Sequence, residues 1–364
     1  MARRLFGTDG VRGVAGELLT ADLALALGRA AVEQAGTEHP RVLVIRDTRE
    51  SGEMLEAALA AGIAAAGGDV ALGGVLPTPA APLLIERHGY DMAAVLSASH
   101  NPYRDNGIKF FGADGFKLSD ATEAAIEARL EESPLRPSRI GRIAPVAGTD
   151  EEYLSALTAR FSDLDLSGIK VLLDCANGAT FHVGPEAFRR LGASVTVLHA
   201  QPDGRNINEG CGSTHVDELA APMRDGAHDV AFAFDGDGDR VLAVDRAGDV
   251  VDGDELVALA ALHLRRAGRL PGDGVAVTVM TNYGFHTAMR EAGVEVATTG
   301  VGDRYVLEEL RRRGWSLGGE QSGHIIDLGF NRSGDGIAAA LLTLEALAGE
   351  DLARRTAMDK LPQR

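Results

Sequence analysis

The sequence predicts an α/β protein built of three successive α/β units of similar architecture. Each unit is expected to hold a mixed sheet flanked by helices, with a catalytic cleft between the units. Three observations carry this prediction. Short apolar, β-branched runs alternate with alanine-rich stretches of helical period, the pattern of α/β layers. At 364 residues the chain is longer than one ordinary core organises. Three of the apolar runs end abruptly in loops of small and polar residues, and ligands of open α/β sheets bind beyond the carboxyl ends of strands.

The first unit is assigned to residues 1–145. Its first clear strand is Arg41–Arg46. A helix follows, with Ser51 read as its N-cap, running through Ala66 to a stop at Gly67-Gly68. The strand Asp91–Leu96 runs into Ser97-Ala98-Ser99-His100, and Ser133-Pro134-Leu135-Arg136-Pro137 reads as the linker that follows. The second unit, 146–252, opens with a helix near Glu151. Strands are expected at Ile169–Leu173, Ser194–Leu198 and Asp229–Phe234, with a turn at Asp174–Gly178 and a hairpin around Ala247-Gly248-Asp249. The third unit, 253–364, begins with the helix Asp254–Arg266. Strand Gly274–Val279, helix Phe285–Ala292 and strand Val294–Thr298 come next. The apolar run Trp315–Leu317 then enters Gly318-Gly319-Glu320-Gln321-Ser322-Gly323-His324.

Composition narrows the functional classes. Hydrophobic residues at 45% and charged residues at 24% give the balance of a soluble globular protein. Against 53 acidic residues stand 36 lysines and arginines, a formal charge of −17. So acidic a surface repels nucleic acid, and an anionic small substrate needs a local basic pocket. The two cysteines, Cys175 and Cys211, are far apart without metal-type spacing, which fits a reducing compartment. No apolar core follows Arg3-Arg4, so no signal peptide is expected. No run is long enough to span a membrane, which makes the cytoplasm the default location. The sequence leaves a homodimer open.

Asp235, Asp237 and Asp239 alternate with glycine directly after Val230-Ala231-Phe232-Ala233-Phe234. Close carboxylates repel one another unless a cation neutralises them, and an all-oxygen donor set favours Mg²⁺, or Mn²⁺, over zinc. A calcium EF-hand is excluded, because its sixth and twelfth loop positions fall on Arg240 and Arg246. A solvated acidic hairpin is the alternative. Ser99 stands at a strand-to-loop junction, where a cap or turn former is commoner than a nucleophile. No Gly-x-Ser-x-Gly elbow is present, which disfavours acyl hydrolysis. Lys109, on an expected returning strand, is suited to a phosphoryl oxygen or to solvent. Arg12, among the glycines of Phe6–Gly13, suits bidentate phosphate contact or a plain turn. Glu320, Ser322 and His324 alternate much as the aspartates do, and are suited to reading sugar hydroxyls, or to a capped loop. Neither nucleotide-binding glycine motif occurs.

Taken in order along the chain, Phe6–Gly13, Ser97-Ala98-Ser99-His100-Asn101-Pro102, Asp235–Arg240 and Gly319–His324 resemble the loops of the α-D-phosphohexomutase superfamily. Asn106-Gly107-Ile108-Lys109, Pro202–Asn208 and Val301–Val306 extend the resemblance over nearly the whole sequence. Phe6–Gly13 and Gln321 look like the glucosamine-type branch. The resemblance implies a phosphoserine at Ser99, with Mg²⁺ held by its phosphate and by Asp235, Asp237 and Asp239. It implies that glucosamine 6-phosphate and glucosamine 1-phosphate are interconverted through glucosamine 1,6-bisphosphate, on the route to UDP-N-acetylglucosamine and cell-wall precursors. Arg12 and Arg240 would steady the phosphate, Lys109 and His100 would assist proton transfer, and Glu320 and Ser322 would hold sugar hydroxyls, with His324 completing that loop.

Two features depart from the family pattern. Gly300 stands where many relatives carry a basic residue before Val-Gly-Asp-Arg. The sequence also stops at Leu361-Pro362-Gln363-Arg364, where the family's fourth, phosphate-gripping domain would begin. The expectation is therefore a chain that holds metal and phosphoserine but turns over poorly by itself.

Overall fold

The computed structural model describes residues 5–7, 9–133, 137–352 and 358. Thr8 of the first loop, residues 134–136 of the expected linker and the terminal Leu361–Arg364 lie outside the described residues. Among those described, three mixed sheets follow one another along the chain. The first has seven strands, ordered Phe6–Gly7, Gly10–Val14, Asp105–Gly112, Met92–Leu96, Arg41–Arg46, Asp69–Val75 and Ile143–Pro145. The second orders Val250–Val251, Val241–Val244, Val230–Phe234, Lys170–Asp174 and Ser194–Leu198. The third orders Glu295–Thr299, Gly274–Thr278, Leu317–Gly319 and Ile325–Asp327. The expected α/β architecture of mixed sheets flanked by helices is what forms.

One local device recurs in all three sheets. A strand paired in parallel on one side ends in a loop, and the chain returns antiparallel on the other side. Met92–Leu96 lies parallel to Arg41–Arg46 and antiparallel to Asp105–Gly112. Val230–Phe234 lies parallel to Lys170–Asp174 and antiparallel to Val241–Val244. Leu317–Gly319 lies parallel to Gly274–Thr278 and antiparallel to Ile325–Asp327. Every residue of these three delivering strands is buried. A strand covered on both faces carries unbroken apolar or small residues, which is why Met-Ala-Ala-Val-Leu and Val-Ala-Phe-Ala-Phe read as runs.

Strand alternation sorts the core. Val42 and Val44 face the helices Ala21–Glu33 and Ser51–Ala65, in a cluster with Leu27, Leu59 and Ile63. Leu43 and Ile45 face the other way, into a second cluster that continues through Phe188, Phe232 and Phe234 to Leu256, Val275 and Leu341. That cluster draws on all three sheets.

Ser51 is not a cap. It is the first residue of its helix, the cap position is Glu50 without a side-chain cap bond, and the Ser51 hydroxyl accepts from Asn106 Nδ2 at 2.9 Å. Asp252 does cap the helix Gly253–Arg266, through a capping box with Glu255. Among the described residues no helix is long and apolar enough to cross a membrane.

Candidate active site

Ser99 follows a fully buried strand and adopts a left-handed backbone, with φ of 52°. Such a conformation costs a non-glycine residue about 1–3 kcal/mol and persists only where its surroundings impose it. Here they do. Ser97 Oγ accepts from the Ser99 amide at 2.9 Å and donates to Asp47 Oδ2 at 2.6 Å. Arg49, fully buried, donates from Nη2 to the carbonyls of Ser99 and Asn101, both at 2.9 Å, and from Nη1 to those of Pro102 and Asp105. Its Nε pairs with Asp47 Oδ2 at 2.8 Å. Asn208 Nδ2 adds bonds to the same Ser99 and Asn101 carbonyls. With the backbone held on every side, the Ser99 hydroxyl points at Asp235, donating to Oδ2 at 2.6 Å.

Arg49 is therefore the keystone of this loop, and its replacement has a calculable consequence. Arg49→Met leaves a buried Asp47 without its cation and several loop carbonyls without a donor. The expected loss of stability is about 3–5 kcal/mol, measured by urea unfolding. A variant within ~1 kcal/mol of the parent would contradict this account.

The strand Val230–Phe234 delivers the acidic loop in the same way. Gly236 is required by proximity, because a Cβ there would lie 2.6 Å from the Ser99 carbonyl oxygen. Gly238, at φ of 70°, supplies the left-handed turn that brings the alternate side chains together. Asp235, Asp237 and Asp239 are all buried, and each offers a carboxylate oxygen within 4.8 Å of the others. Asp237 Oδ2 accepts from Thr78 Oγ1 at 2.6 Å and Lys109 Nζ at 2.7 Å. Among the described residues, Asp237 Oδ1 and Asp239 Oδ1 have no hydrogen-bond partner. Burial, followed by repulsion from Asp239 and Asp237, pushes the Asp235 carboxyl well above its ordinary pKa. Burial works against Asp239 too, but His324, Lys109 and Arg240 outweigh it and hold that carboxyl low. Buried carboxylate oxygens that accept no hydrogen bond, set beside like-charged neighbours, fit a hard divalent cation.

Around this pair of loops the chain gathers its cations. His100 Nδ1 is 3.3 Å from Ser99 Oγ and accepts from Arg240 Nη1 at 3.3 Å. Burial first, then Arg240 and Arg12, lower the His100 pKa, so the imidazole is neutral near pH 7. Lys109 Nζ lies 3.0 Å from Asp9 Oδ2, and Arg12 pairs with the same carboxylate. His324 is buried, its Nδ1 at 3.6 Å from Asp239 Oδ1 and its Nε2 at 3.6 Å from Asp303 Oδ2. Burial would lower its pKa, but the two carboxylates outweigh burial and raise it. The Glu320–His324 loop is joined to the acidic loop by backbone, with Arg240 bridged to His324 and the Val241 amide donating to Gly323 O at 3.0 Å. Glu320 Oε1 accepts from the Gly302 amide at 3.1 Å.

Of the residues singled out in the sequence, Ser99, His100, Lys109, Arg240, Asp235, Asp237, Asp239 and His324 come together, with Arg12 attached through Asp9. Ser322 does not join them. Gly323 N closes a turn onto Glu320 O, so Ser322 sits exposed at its tip while His324 turns inward. Asp47, Arg49, Thr78, Asp9 and Asn208 were not assigned roles from sequence. Asp9 and Asn208 lie within loops that carry the family resemblance, Phe6–Gly13 and Pro202–Asn208. Arg49 carried only the signal of a charge just past a strand end. Cys211 does approach other metal-type donors, Asp174 and His199. The Asp174 oxygens, however, are already taken by the amides of Ala176 and Gly212, which makes that carboxylate a turn anchor.

Comparison with known proteins adds three findings. Family models described as phosphoglucomutase/phosphomannomutase alpha/beta/alpha domains I, II and III match residues 3–136, 151–248 and 252–364. The phosphoglucosamine mutase of Moorella thermoacetica is 50% identical over 370 residues, 99% of this chain and 83% of that protein. That of Mycolicibacterium paratuberculosis is 51% identical with the same coverage. Among solved structures, a phosphoglucomutase/phosphomannomutase family protein from Burkholderia thailandensis superposes with a TM-score of 0.84 at 28% identity, over 95% of this chain and 77% of that one. At 18% identity, the Aspergillus fumigatus N-acetylphosphoglucosamine mutase, solved with GlcNAc-6P and magnesium, shares the fold with a TM-score of 0.68, covering 99% and 81% of the two chains.

Proposed function

Because this chain belongs to the phosphoglucosamine mutase family, we propose that it is an isomerase interconverting glucosamine 6-phosphate and glucosamine 1-phosphate, with Ser99 as the phosphoryl carrier. The observation that carries the reading is the Ser99 hydroxyl held 2.6 Å from Asp235, at the mouth of three buried carboxylates.

The chain's own groups divide the work. The strained Ser99 backbone, locked by Arg49 and Asn208, keeps Oγ in one place throughout the cycle. Asp235, Asp237 and Asp239, together with a phosphate on Ser99, would hold Mg²⁺. When bound, such an ion offsets the negative charge of a phosphoryl group in transfer. Arg240 and Arg12 steady the phosphoryl oxygens, and neutral His100 is able to accept a proton at Nδ1. Lys109 lies buried against Asp237 and Asp9, a fixed positive charge close to the serine. Ser322 stays outside the buried cluster, but its exposed hydroxyl, with Glu320, would hold sugar hydroxyls, while His324 lies buried behind them. One transfer from Ser99 to the 1-hydroxyl gives glucosamine 1,6-bisphosphate. Reorientation then returns the 6-phosphate to Ser99 and releases glucosamine 1-phosphate, the form required for activation toward UDP-N-acetylglucosamine and cell-wall precursors.

The test compares kcat/KM for glucosamine, mannose and glucose 6-phosphates in a Mg²⁺-containing coupled assay. The amino sugar is expected to lead by at least about tenfold, or ~1.4 kcal/mol in transition-state binding. Preference for another sugar, or release of inorganic phosphate without isomerisation, would overturn the assignment.

A further inference from the structure

Lys117 belongs to none of the loops discussed above, and nothing in the reaction as described uses it. It lies just past the strand Asp105–Gly112, is bridged back to Phe111 and is 11% exposed. Its Nζ is 2.5 Å from Asp9 Oδ1 and 2.5 Å from Asp303 Oδ2. Asp9 stands in the first unit's glycine-rich loop, beside Arg12 and Lys109. Asp303 opens the third unit's helix Asp303–Arg313 and faces His324.

These contacts close into a ring. From Lys117 the chain of neighbours runs to Asp303, His324, Asp239, Lys109 and Asp9, and back to Lys117. Basic and acidic groups alternate around it, and its members come from all three units. Among the described residues, Lys117 is the one lysine or arginine in contact with both Asp9 and Asp303. Without it, two half-buried carboxylates would face each other across the junction of the first and third units. A second tether spans the same junction, since Arg304 pairs with Asp120 and Glu123. Loss of Lys117 alone therefore leaves the third unit attached but changes its spacing.

We propose that Lys117 is a positioning residue that sets the separation between the Ser99 loop and the sugar-side loop of Glu320 and His324. With that spacing an acceptor hydroxyl meets the phosphoryl group in line. The inference rests on the mutase reading given above. Misplacement of a reacting group by about 1 Å costs on the order of 100-fold in rate.

The test follows one transfer. The chain, phosphorylated on Ser99 with glucose 1,6-bisphosphate, is mixed with glucosamine 6-phosphate and Mg²⁺, and loss of phosphate is timed by intact mass. For Lys117→Met the limiting rate is expected to fall about 100-fold while the half-saturating sugar concentration moves less than about threefold. Lys117→Arg, which keeps the charge, is expected to recover at least about tenfold of that loss. A Met variant that transfers within threefold of the parent overturns the proposal. So does a loss that tracks a collapse in melting temperature and is not recovered by arginine. If the parent itself keeps its phosphate in the presence of the sugar, the mutase reading fails and this inference falls with it.

Discussion

Ser99→Ala is expected to lower mutase turnover by at least about four orders of magnitude, because removing a nucleophile leaves only binding and electrostatic assistance. The same substitution should leave the fold nearly unchanged. The loop is held through carbonyls and amides, by Arg49, Asn208 and Ser97, and none of those bonds involves the Ser99 side chain. Alanine must still occupy the left-handed backbone at φ of 52°, which limits the change in stability to about 1 kcal/mol. Two measurements check this. Intact mass after incubation with glucose 1,6-bisphosphate should show phosphate on the parent and none on the variant, and the variant's melting curve should overlay the parent's within a few degrees. Phosphate retained by the alanine variant would move the carrier to another residue.

The second large effect has opposite signs for stability and for activity. Asp235 is buried among two further carboxylates, and both burial and those neighbours oppose its ionisation. Asp235→Asn keeps one oxygen for the Arg240 amide, turns the other contact into an N–H donated to the Ser99 oxygen, and removes one of three like charges. In EDTA the variant should therefore melt higher than the parent, by roughly 3 °C for each kcal/mol of repulsion relieved. In Mg²⁺ it should turn over about a thousandfold more slowly, the equivalent of ~4 kcal/mol of lost charge stabilisation in transfer. The parent alone should gain stability on addition of Mg²⁺, by linkage between binding and folding. An unchanged or lowered melting point for the variant in EDTA would mean that the three carboxylates are not strained against one another.

How much of this was legible depends on how local each signal is. The delivering strands Met92–Leu96 and Val230–Phe234 read directly as apolar runs, because strands buried on both faces need no alternation. The aspartates read as a cation site because three close carboxylates repel one another unless a cation sits among them, although a solvated acidic hairpin gives the same pattern. Arg49 and Lys117 did not read at all. Each is a single cation near a strand end, indistinguishable in sequence from surface charge. What buries Arg49 is a set of carbonyls about fifty residues further on, and what buries Lys117 is an aspartate in another unit. The alternation of Glu320, Ser322 and His324 marked a ligand loop or a capped turn without saying which side chain goes where. The turn that Gly323 N closes onto Glu320 O leaves Ser322 exposed and buries His324.

The continuous core has a consequence for cooperativity. Because Leu43 and Ile45 of the first sheet share a cluster with Phe232 of the second and Val275 of the third, the three units are not three independently melting bodies. Opening any one of them strips apolar cover from the next, so the stability of each unit depends on its neighbours. The loops at the strand ends are anchored to that shared core. That shared core fixes where the loops lie, and bonds such as those of Lys117 then set their final spacing.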